Sequence, residues 1–440
     1  MQLFAHRGSQ RRQVQRGALS SQCLAEWPPA APSSSKDLQM YLEPERRLDE
    51  DSFPVFQLES SRLNITEKSR ASRLPWRGQF SPLLVEYLLE KVCPDASVVL
   101  DPFCGSGTVL FEAAQRGSVG IGSEVNPAAW HLASLASLSG RPAAEYARLK
   151  STLLNMRSTN ASSDLFSSDQ SPEHVIDAAK GLGSDPALQK CLTAAILLGM
   201  GDKPNLTHDL LARGISAVAS LLDELKCYDG SAKCFLGDAR SLAIDSETVD
   251  AVVTSPPYIN VFNYHQNYRP AAELLGWHPL NAARSEIGAN RKHRQNRFLT
   301  VVQYCMDMAQ VLNELARVCR QGAPVVFVVG RESNVLGCSF RNSYLIESLM
   351  TESADYQVLQ AEERVFSNRY GQDIYEDVII ARRVGCTPIT LDFARSLGQR
   401  ALTNALGSAP EKNAEALQEA ITGFKKVQPS PLLAFDDTPY

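Results

Sequence analysis

The 440-residue sequence contains no C-x-x-C pair and no cluster of histidine and cysteine at zinc-binding spacing. Its ten cysteines are scattered, which predicts reduced, mostly buried thiols in an intracellular protein without a metal site. No apolar run is long enough to span a bilayer and no secretory segment is visible, so we expect a soluble protein without a membrane partner. No internal repeat is visible either.

A large net charge is also missing. The chain has 44 Lys and Arg against 49 Asp and Glu, a formal net charge of −5. Attraction to a polyanion depends on clustered basic residues and not on the sum over the chain. Any nucleic-acid binding must therefore come from a local basic face.

One stretch carries the strongest local signal, the segment DPFCGSGT at residues 101–108. It follows the β-branched run that ends at Leu100, which is typical of a buried parallel strand. Gly105 and Gly107 allow a sharp turn and a close approach of the backbone, and Thr108 begins a helical pattern that ends before Gly117. The pattern predicts a nucleotide-binding turn, although glycine turns also occur as simple connections from strand to helix.

The spacing around this turn indicates which nucleotide it accepts. A dinucleotide fingerprint requires a third glycine where this chain has Leu110, and a phosphate-binding loop requires a lysine that does not follow Gly107. Glu124 ends the next predicted strand, at the distance where an acidic side chain accepts hydrogen bonds from ribose hydroxyls in such folds. A ligand with a ribose and no phosphate fits these residues better.

A second buried run ends in two prolines, in the segment Ser255-Pro256-Pro257-Tyr258. Together and in this order, DPFCGSGT and SPPY resemble the S-adenosylmethionine-dependent amino-group DNA methyltransferases. The SPPY form is the variant typical of the branch that methylates cytosine N4. The resemblance implies a Rossmann-like class I α/β fold, with a seven-stranded, doubly wound, mostly parallel sheet and a helical insertion.

The resemblance also implies the cofactor, S-adenosyl-L-methionine, and the residues that bind it. Phe80 and Ser81 are implied neighbours of its methionine end, although Trp76 and Phe80 are explained equally well as ordinary core aromatics. Asp238 is implied to contact the adenine amino group, but the spacing also suits a turn or helix-cap aspartate. The full set of implied cofactor-binding residues is Phe80, Ser81, Asp101, Pro102, Phe103, Gly105, Gly107, Thr108, Glu124, Asn126 and Asp238.

The SPPY segment suggests how an amino group is methylated. The lone pair of a base amino group is delocalised into the ring, so the nitrogen must be drawn towards tetrahedral geometry. The Ser255 hydroxyl and the Pro256 carbonyl can accept both amino hydrogens, while Pro256 and Pro257 restrict the backbone. Tyr258 offers an aromatic face on which a flipped base can stack. Carbon-5 methylation of cytosine needs a Pro-Cys nucleophile, and the chain has only the reversed Cys93-Pro94.

The leading hypothesis is a bacterial, cytoplasmic, site-specific DNA methyltransferase of a restriction–modification system, acting on cytosine N4. Its partners would be double-stranded DNA with a flipped target base and a cognate restriction endonuclease. The alternatives are an adenine-N6 DNA enzyme, a tRNA guanine-N2 methyltransferase, or a non-catalytic nucleic-acid-binding subunit. tRNA enzymes of this type usually carry Asp-Pro-Pro-Tyr and an N-terminal RNA-binding domain. Intact motif residues argue against a non-catalytic protein.

The chain is predicted to have three parts. Residues 1–70 form a low-complexity extension, interpreted as a misassigned or dispensable start, a DNA-touching arm or a targeting signal. Residues 71–386 form the catalytic domain, and within it residues 131–232 are a helical insertion. The insertion either recognises the target or only supports the sheet. Residues 387–440 form a helical tail.

The best basic run follows the SPPY segment and comprises Arg291, Lys292, Arg294 and Arg297. Its position favours contact with backbone phosphates. A solvated charged surface is the ordinary alternative.

Overall fold

The computed structural model describes residues 56–67, 69–159, 173–181, 185–260, 263–289, 293–367, 371–385 and 387–433. Most of the predicted N-terminal extension lies outside these residues. Within them, none of the helices combines the length and hydrophobicity that a bilayer crossing requires.

Nine strands are present in the described part of the chain. They are β1 Val98–Asp101, β2 Val119–Glu124, β3 Ser231–Leu236, β4 Ala251–Thr254, β5 Pro324–Gly330, β6 Glu332–Val335, β7 Cys338–Arg341, β8 Tyr356–Ser367 and β9 Asp373–Arg383. Seven of them form one sheet in the order β3-β2-β1-β4-β5-β9-β8, and β6 and β7 pair separately as a hairpin. The predicted seven-stranded, mostly parallel sheet is confirmed.

The sheet topology determines where a ligand can bind. Strands β3, β2, β1, β4 and β5 are parallel, β9 runs antiparallel to β5, and β8 runs antiparallel to β9. Strand β1 pairs with β2 on one side and with β4 on the other, so the winding of the chain reverses there. Ligands of doubly wound folds bind at the carboxyl ends of the strands at such a switch point. Both sequence motifs follow strands that meet at this point.

Fourteen α-helices accompany the sheet in the described residues. Ser81 directly precedes the second of them and Pro82 begins it, which places a proline in the first helical turn. The helices are α1 Ser60–Asn64, α2 Pro82–Lys91, α3 Thr108–Gln115, α4 Pro127–Ser134, α5 Ala143–Thr159, α6 Glu173–Gly181, α7 Pro186–Met200, α8 His208–Leu225, α9 Arg269–Leu274, α10 Pro279–Ser285, α11 Leu299–Val318, α12 Asn342–Glu352, α13 Leu391–Asn404 and α14 Glu411–Gly423.

The insertion between β2 and β3 is helical where the structure describes it. Helices α7 and α8 pack closely at Gly214, where a Cβ atom would lie 1.9 Å from the Ala195 carbonyl oxygen. The apolar side chains of the insertion share one core with Leu110 and Phe111 of α3 and Leu132 of α4. Support of the sheet and recognition of the target both stay predictions for the insertion.

The described residues include a segment before the predicted boundary at residue 71. The Phe56 amide donates to Gln360 Oε1 at 3.0 Å, and the Val365 amide donates to Asn64 Oδ1 at 2.8 Å. The buried side chain of Leu63 belongs to the core on this face of the sheet. Because β8 is an edge strand, this segment covers backbone groups that would otherwise invite pairing with another chain.

The C-terminal helices pack onto the catalytic core. A Cβ atom on Gly398 of α13 would lie 2.6 Å from Val302 Cα of α11, so these helices are in close contact. Beyond α14, the Ser430 amide donates to the buried Asp307 carboxylate at 2.7 Å. The predicted tail is thus helical over α13 and α14 and forms part of the main core.

Candidate active site

A cavity of about 1120 Å³ opens at the carboxyl ends of β1, β2 and β4 and extends to β8 and β9. Most of the residues implied by the resemblance line it together. They are Phe80, Ser81, Asp101, Pro102, Phe103, Gly105, Thr108, Glu124, Asp238, Ser255, Pro257 and Tyr258.

The glycine turn has the backbone geometry that its sequence predicts. Gly105 and Gly107 have φ angles of +51° and +90°, in the region that L side chains rarely adopt. A Cβ atom on Gly107 would lie 2.8 Å from Ala133 Cα, whereas one on Gly105 would lie 3.2 Å from the Trp76 ring. Gly105 therefore lines the cavity, and Gly107 lets the turn pack against α4.

Glu124 is positioned to accept hydrogen bonds from a ribose. Its Oε2 accepts from the Gly105 amide at 3.0 Å, and its Oε1 accepts from the Asn126 amide at 2.8 Å. Each carboxylate oxygen retains acceptor capacity beyond this bond, which suits two neighbouring hydroxyls. Burial raises the pKa of Glu124 to about 7, although the two backbone bonds act in the opposite direction. The residues present therefore fit an adenosine-containing cofactor.

Asp101 joins the two motifs. Its Oδ1 accepts from the Thr254 hydroxyl at 2.6 Å and from the Phe103 amide at 3.1 Å. Burial raises the pKa of Asp101 to about 7. Since Thr254 directly precedes Ser255, this bond ties the glycine turn to the start of the SPPY segment.

Asn126 does not line the cavity, and its implied contact with the cofactor stays a prediction. It is fully buried and caps α4, where Oδ1 accepts from the Ala128 amide at 2.9 Å and the Ala129 amide at 3.3 Å. Its Nδ2 donates to the Tyr264 carbonyl at 2.9 Å. The side chain therefore stabilises the helix and the segment above it. Gly107 is also absent from the lining, because it faces α4.

Asp238 lines the cavity, but its carboxylate is bound within the protein. Arg240 donates to it from Nε at 2.8 Å and from Nη2 at 2.6 Å, and the Leu433 amide donates at 3.2 Å. The Arg240 amide also donates to Oδ1 at 3.0 Å, which is the turn that the alternative interpretation predicted. An adenine amino group would have to share this carboxylate with a buried ion pair.

Three residues of the SPPY segment line the cavity, Ser255, Pro257 and Tyr258. Ser255 Oγ lies 3.4 Å from Tyr258 Oη, and the Tyr258 hydroxyl donates to Glu376 Oε1 at 3.2 Å. Pro256 lies between them and is buried. Burial, followed by the charge of Glu376, raises the pKa of Tyr258 well above its ordinary value. Tyr258 is therefore a neutral hydrogen-bond donor near pH 7.

Several lining residues were not found from the sequence. Tyr264 and Glu286 belong to the segment between β4 and α11, and Trp76 precedes α2. Glu286 Oε2 lies 2.8 Å from Nδ1 of the buried His265. These residues belong to no motif, so only their position in the fold reveals them.

The basic run is only partly described. Arg291 and Lys292 lie outside the described residues, and Arg294 is exposed. Arg297 donates to Asn260 Oδ1 from Nε at 3.2 Å and from Nη2 at 2.5 Å. Arg297 thus stabilises the loop that follows Tyr258, and its contact with phosphate stays a prediction.

Cys104 is packed in the protein interior. It is buried, with Sγ 3.4 Å from Cys234 Sγ, and burial raises the pKa of its thiol well above the ordinary value. A neutral buried thiol is a poor nucleophile.

The sheet topology and the cavity residues together define the fold class of this protein. A doubly wound sheet with a glycine turn after β1 and a half-buried carboxylate at the end of β2 is a Rossmann-like methyltransferase fold. A DNA methylase family model matches residues 10–134, which include the glycine turn and Glu124, and an RMKL-like methyltransferase domain model matches residues 92–184. The resemblance to the amino-group DNA methyltransferases is confirmed, and with it the expected cofactor, S-adenosylmethionine.

One curated relative is the Type II methyltransferase M.MjaII of Methanocaldococcus jannaschii. It is 36% identical over 67 residues, which are 14% of this chain and 13% of that relative. The aligned region therefore spans a small part of either protein.

Two solved structures match this chain at low similarity. A SAM-dependent methyltransferase from Methanosarcina mazei is 14% identical, with 66% of this chain and 93% of that chain covered at a TM-score of 0.33. TrmN from Thermus thermophilus is also 14% identical, with 70% and 50% covered at a TM-score of 0.30.

The pKa of Glu124 leads to a testable pH dependence. An ionised carboxylate accepts from ribose hydroxyls, so the affinity for S-adenosylmethionine should rise as the pH rises through about 7. One pH unit below that pKa about a tenth of the carboxyl is ionised, which predicts up to about tenfold weaker binding. Titration calorimetry between pH 6 and 8 measures this change.

Glu124→Gln is the matched control and should remove the pH dependence. If the dependence persists, the titrating group is another one, with Asp101 the first candidate because burial also raises its pKa to about 7. For the protein without cofactor, the contribution of Glu124 to folding stability has the opposite pH dependence. The folded-state pKa of Glu124 exceeds the ordinary value of 4.5, so its contribution to stability is full below that pH and is lost as the pH rises through about 7.

Proposed function

We propose that this protein is a site-specific DNA methyltransferase that transfers a methyl group from S-adenosylmethionine to an exocyclic amino group, cytosine N4 in particular. One observation carries the proposal. The SPPY side chains Ser255 and Tyr258 line the same cavity as the glycine turn and Glu124. Asp101 and Thr254 link the two halves of this cavity directly.

In this proposal the cofactor and the protein residues have separate roles. S-adenosylmethionine, when bound, supplies an activated methyl group on a positively charged sulfur. The protein positions the cofactor. Glu124 binds the ribose, and the turn at Gly105 lies under the methionine part. Ser255 Oγ and the Pro256 carbonyl accept the hydrogens of the target amino group, which localises its lone pair. Tyr258 offers its ring to the base.

The size of the cavity suits two occupants. About 1120 Å³ exceeds the upper range of typical pockets for a single small molecule, about 300–1,000 Å³. An amino group inside a duplex is out of reach, so the base must be rotated out of the stack. The substrate in this proposal is therefore double-stranded DNA with a flipped cytosine. A cognate restriction endonuclease would recognise the same site.

The direct test is the transfer of tritiated methyl groups to unmethylated DNA and to tRNA. Digestion of the product to nucleosides and mass spectrometry then identify the base. N4-methylcytosine in DNA is the expected product. N6-methyladenine would retain the DNA substrate and change the base, whereas labelling of tRNA alone would replace the proposal with an RNA methyltransferase.

The basic run predicts a salt-dependent contribution to DNA binding. If the exposed Arg294 contacts a phosphate, Arg294→Ala should weaken binding to all DNA sequences alike and lower the salt slope by about one. Fluorescence anisotropy at several salt concentrations measures this slope.

Arg320→Ala is the matched control. Arg320 is also an exposed arginine, but it pairs with Asp250, which directly precedes β4. This pair therefore lies at the amino ends of the parallel strands, away from the cavity. Its substitution should leave the slope unchanged. An equal slope in wild type and Arg294→Ala would favour the solvated charged surface.

A further inference from the structure

A hydrogen-bonded chain connects the SPPY segment to the far end of the sheet. Ser255 Oγ lies 3.4 Å from Tyr258 Oη, and the Tyr258 hydroxyl donates to Glu376 Oε1 at 3.2 Å. Arg364 forms an ion pair with the other carboxylate oxygen of Glu376. The spacing between the two hydroxyls is long, as catalytic hydrogen bonds often are before substrate binds.

The two charged members of this chain are held firmly. Arg364 and Glu376 are direct partners in the β8–β9 register, and their side chains are only 7% and 13% exposed. Arg364 Nε donates to the Leu63 carbonyl oxygen at 2.7 Å. Both residues line the cavity that contains Ser255. A buried ion pair that faces a ligand cavity is costly to desolvate, which favours a role beyond packing.

The Tyr258 ring has little freedom to move away from Glu376. A Cβ atom on Gly330 of β5 would lie 2.8 Å from Tyr258 Cε2, so the glycine leaves space for the ring and the backbone of β5 supports it. The hydroxyl is therefore positioned by β5, β8 and β9 together.

The chemistry of these groups determines the direction of each hydrogen bond. An ionised carboxylate only accepts, whereas a phenol hydroxyl has a single hydrogen. Because Tyr258 donates that hydrogen to Glu376, its oxygen can only accept from Ser255. The Ser255 hydrogen then points to Tyr258, and the Ser255 lone pairs are left for the cavity.

We propose that Glu376, held by Arg364, is a positioning residue that acts through Tyr258 to make the Ser255 hydroxyl a hydrogen-bond acceptor for the target amino group. This inference rests on the proposed function. A serine can donate as well as accept, so an undirected hydroxyl would present its hydrogen to the amino group for part of the time. The chain from Glu376 removes this ambiguity and lets a serine act as an acceptor only.

Two single variants and their combination test the proposal. In Glu376→Gln the amide can donate to Tyr258 from its NH₂ group, so the directions of the hydrogen bonds along the chain are no longer fixed. Tyr258→Phe removes the hydroxyl and keeps the ring. Each single variant should lower kcat by about tenfold, the effect expected for one charge-assisted hydrogen bond, with KM for DNA and Kd for S-adenosylmethionine little changed.

The double variant is the decisive measurement. Residues that act as one chain should give a non-additive result, so Glu376→Gln/Tyr258→Phe should be no slower than either single variant. Losses that multiply to about a hundredfold would mean that the two residues act independently, and the proposal would be overturned.

Asp377→Asn is the matched control. Asp377 neighbours Glu376 on β9 and also pairs with an arginine, Arg331, but it does not line the cavity. It should retain wild-type kcat, so a loss specific to Glu376→Gln does not reflect a general weakening of β9. Thermal unfolding of every variant reports folding directly.

The outcomes separate this inference from the proposed function. A wild-type protein that methylates neither DNA nor RNA would contradict the proposed function. An active wild type with an equally active Glu376→Gln would overturn the inference alone, and so would a Glu376→Gln variant that loses affinity for S-adenosylmethionine. If Glu376→Gln does not fold, a Tyr258→Phe variant with wild-type kcat would still overturn it.

Discussion

Ser255→Ala is expected to lower the turnover number by about a hundredfold, the usual effect of removing one polar group that stabilises a transition state. Its hydrogen bond to the amino group strengthens only as the nitrogen becomes tetrahedral, so turnover should fall more than substrate binding. Steady-state methyl transfer gives kcat and KM, and calorimetry gives the Kd for S-adenosylmethionine, which should be nearly unchanged.

Two further substitutions in the same segment sharpen this test. Tyr258→Ala should lose base stacking worth about 1–3 kcal/mol and leave cofactor affinity nearly intact. Ser255→Asp should retain activity or extend it to adenine, because a carboxylate is a stronger acceptor that needs no ordering by Tyr258. Ser255→Ala and Tyr258→Ala variants as active as wild type would mean that the SPPY segment is not the active site.

The second large effect is expected at Gly107, in the turn between β1 and α3. Its φ of +90° disfavours any L side chain, and a Cβ atom would lie 2.8 Å from Ala133 Cα. Because the obstacle is backbone, the turn itself must shift. Gly107→Ala should therefore destabilise the fold by more than about 2 kcal/mol, measured by urea unfolding, and also weaken cofactor binding.

Gly322→Ala separates the two causes of that effect. Gly322 has a similar φ of +82°, but no atom lies within 4 Å of the added Cβ. Only the conformational cost applies there, roughly 1 kcal/mol. Equal losses for the two variants would show that contact with Ala133 contributes nothing at Gly107.

The local elements of the site could be predicted because their signals are local. A β-branched run before a glycine turn predicts strand, turn and helix over about ten residues, and β1 and α3 follow that prediction. Glu124 could be located in the same way, since it ends the next strand of the same unit. The seven strands of the main sheet were also expected, whereas the β6–β7 hairpin was not predicted.

The sequence spacing did not decide the roles of polar residues near the ends of strands and helices. Asn126 satisfies the amides of α4, Asp238 binds Arg240, and Arg297 binds Asn260. A polar side chain in such a position can serve either a ligand or the protein's own unpaired groups. The sequence spacing is the same in both cases.

The sequence by itself determined the class of fold, the cofactor turn and the residues of the SPPY segment, because each depends on neighbours within a few positions. Only the tertiary structure showed that Glu376 meets Tyr258, and that the Leu433 amide reaches Asp238. These partners are 118 and 195 positions apart in the chain. Such contacts depend on the strand order of the sheet and on how the C-terminal segment packs, and no local pattern of residues encodes either.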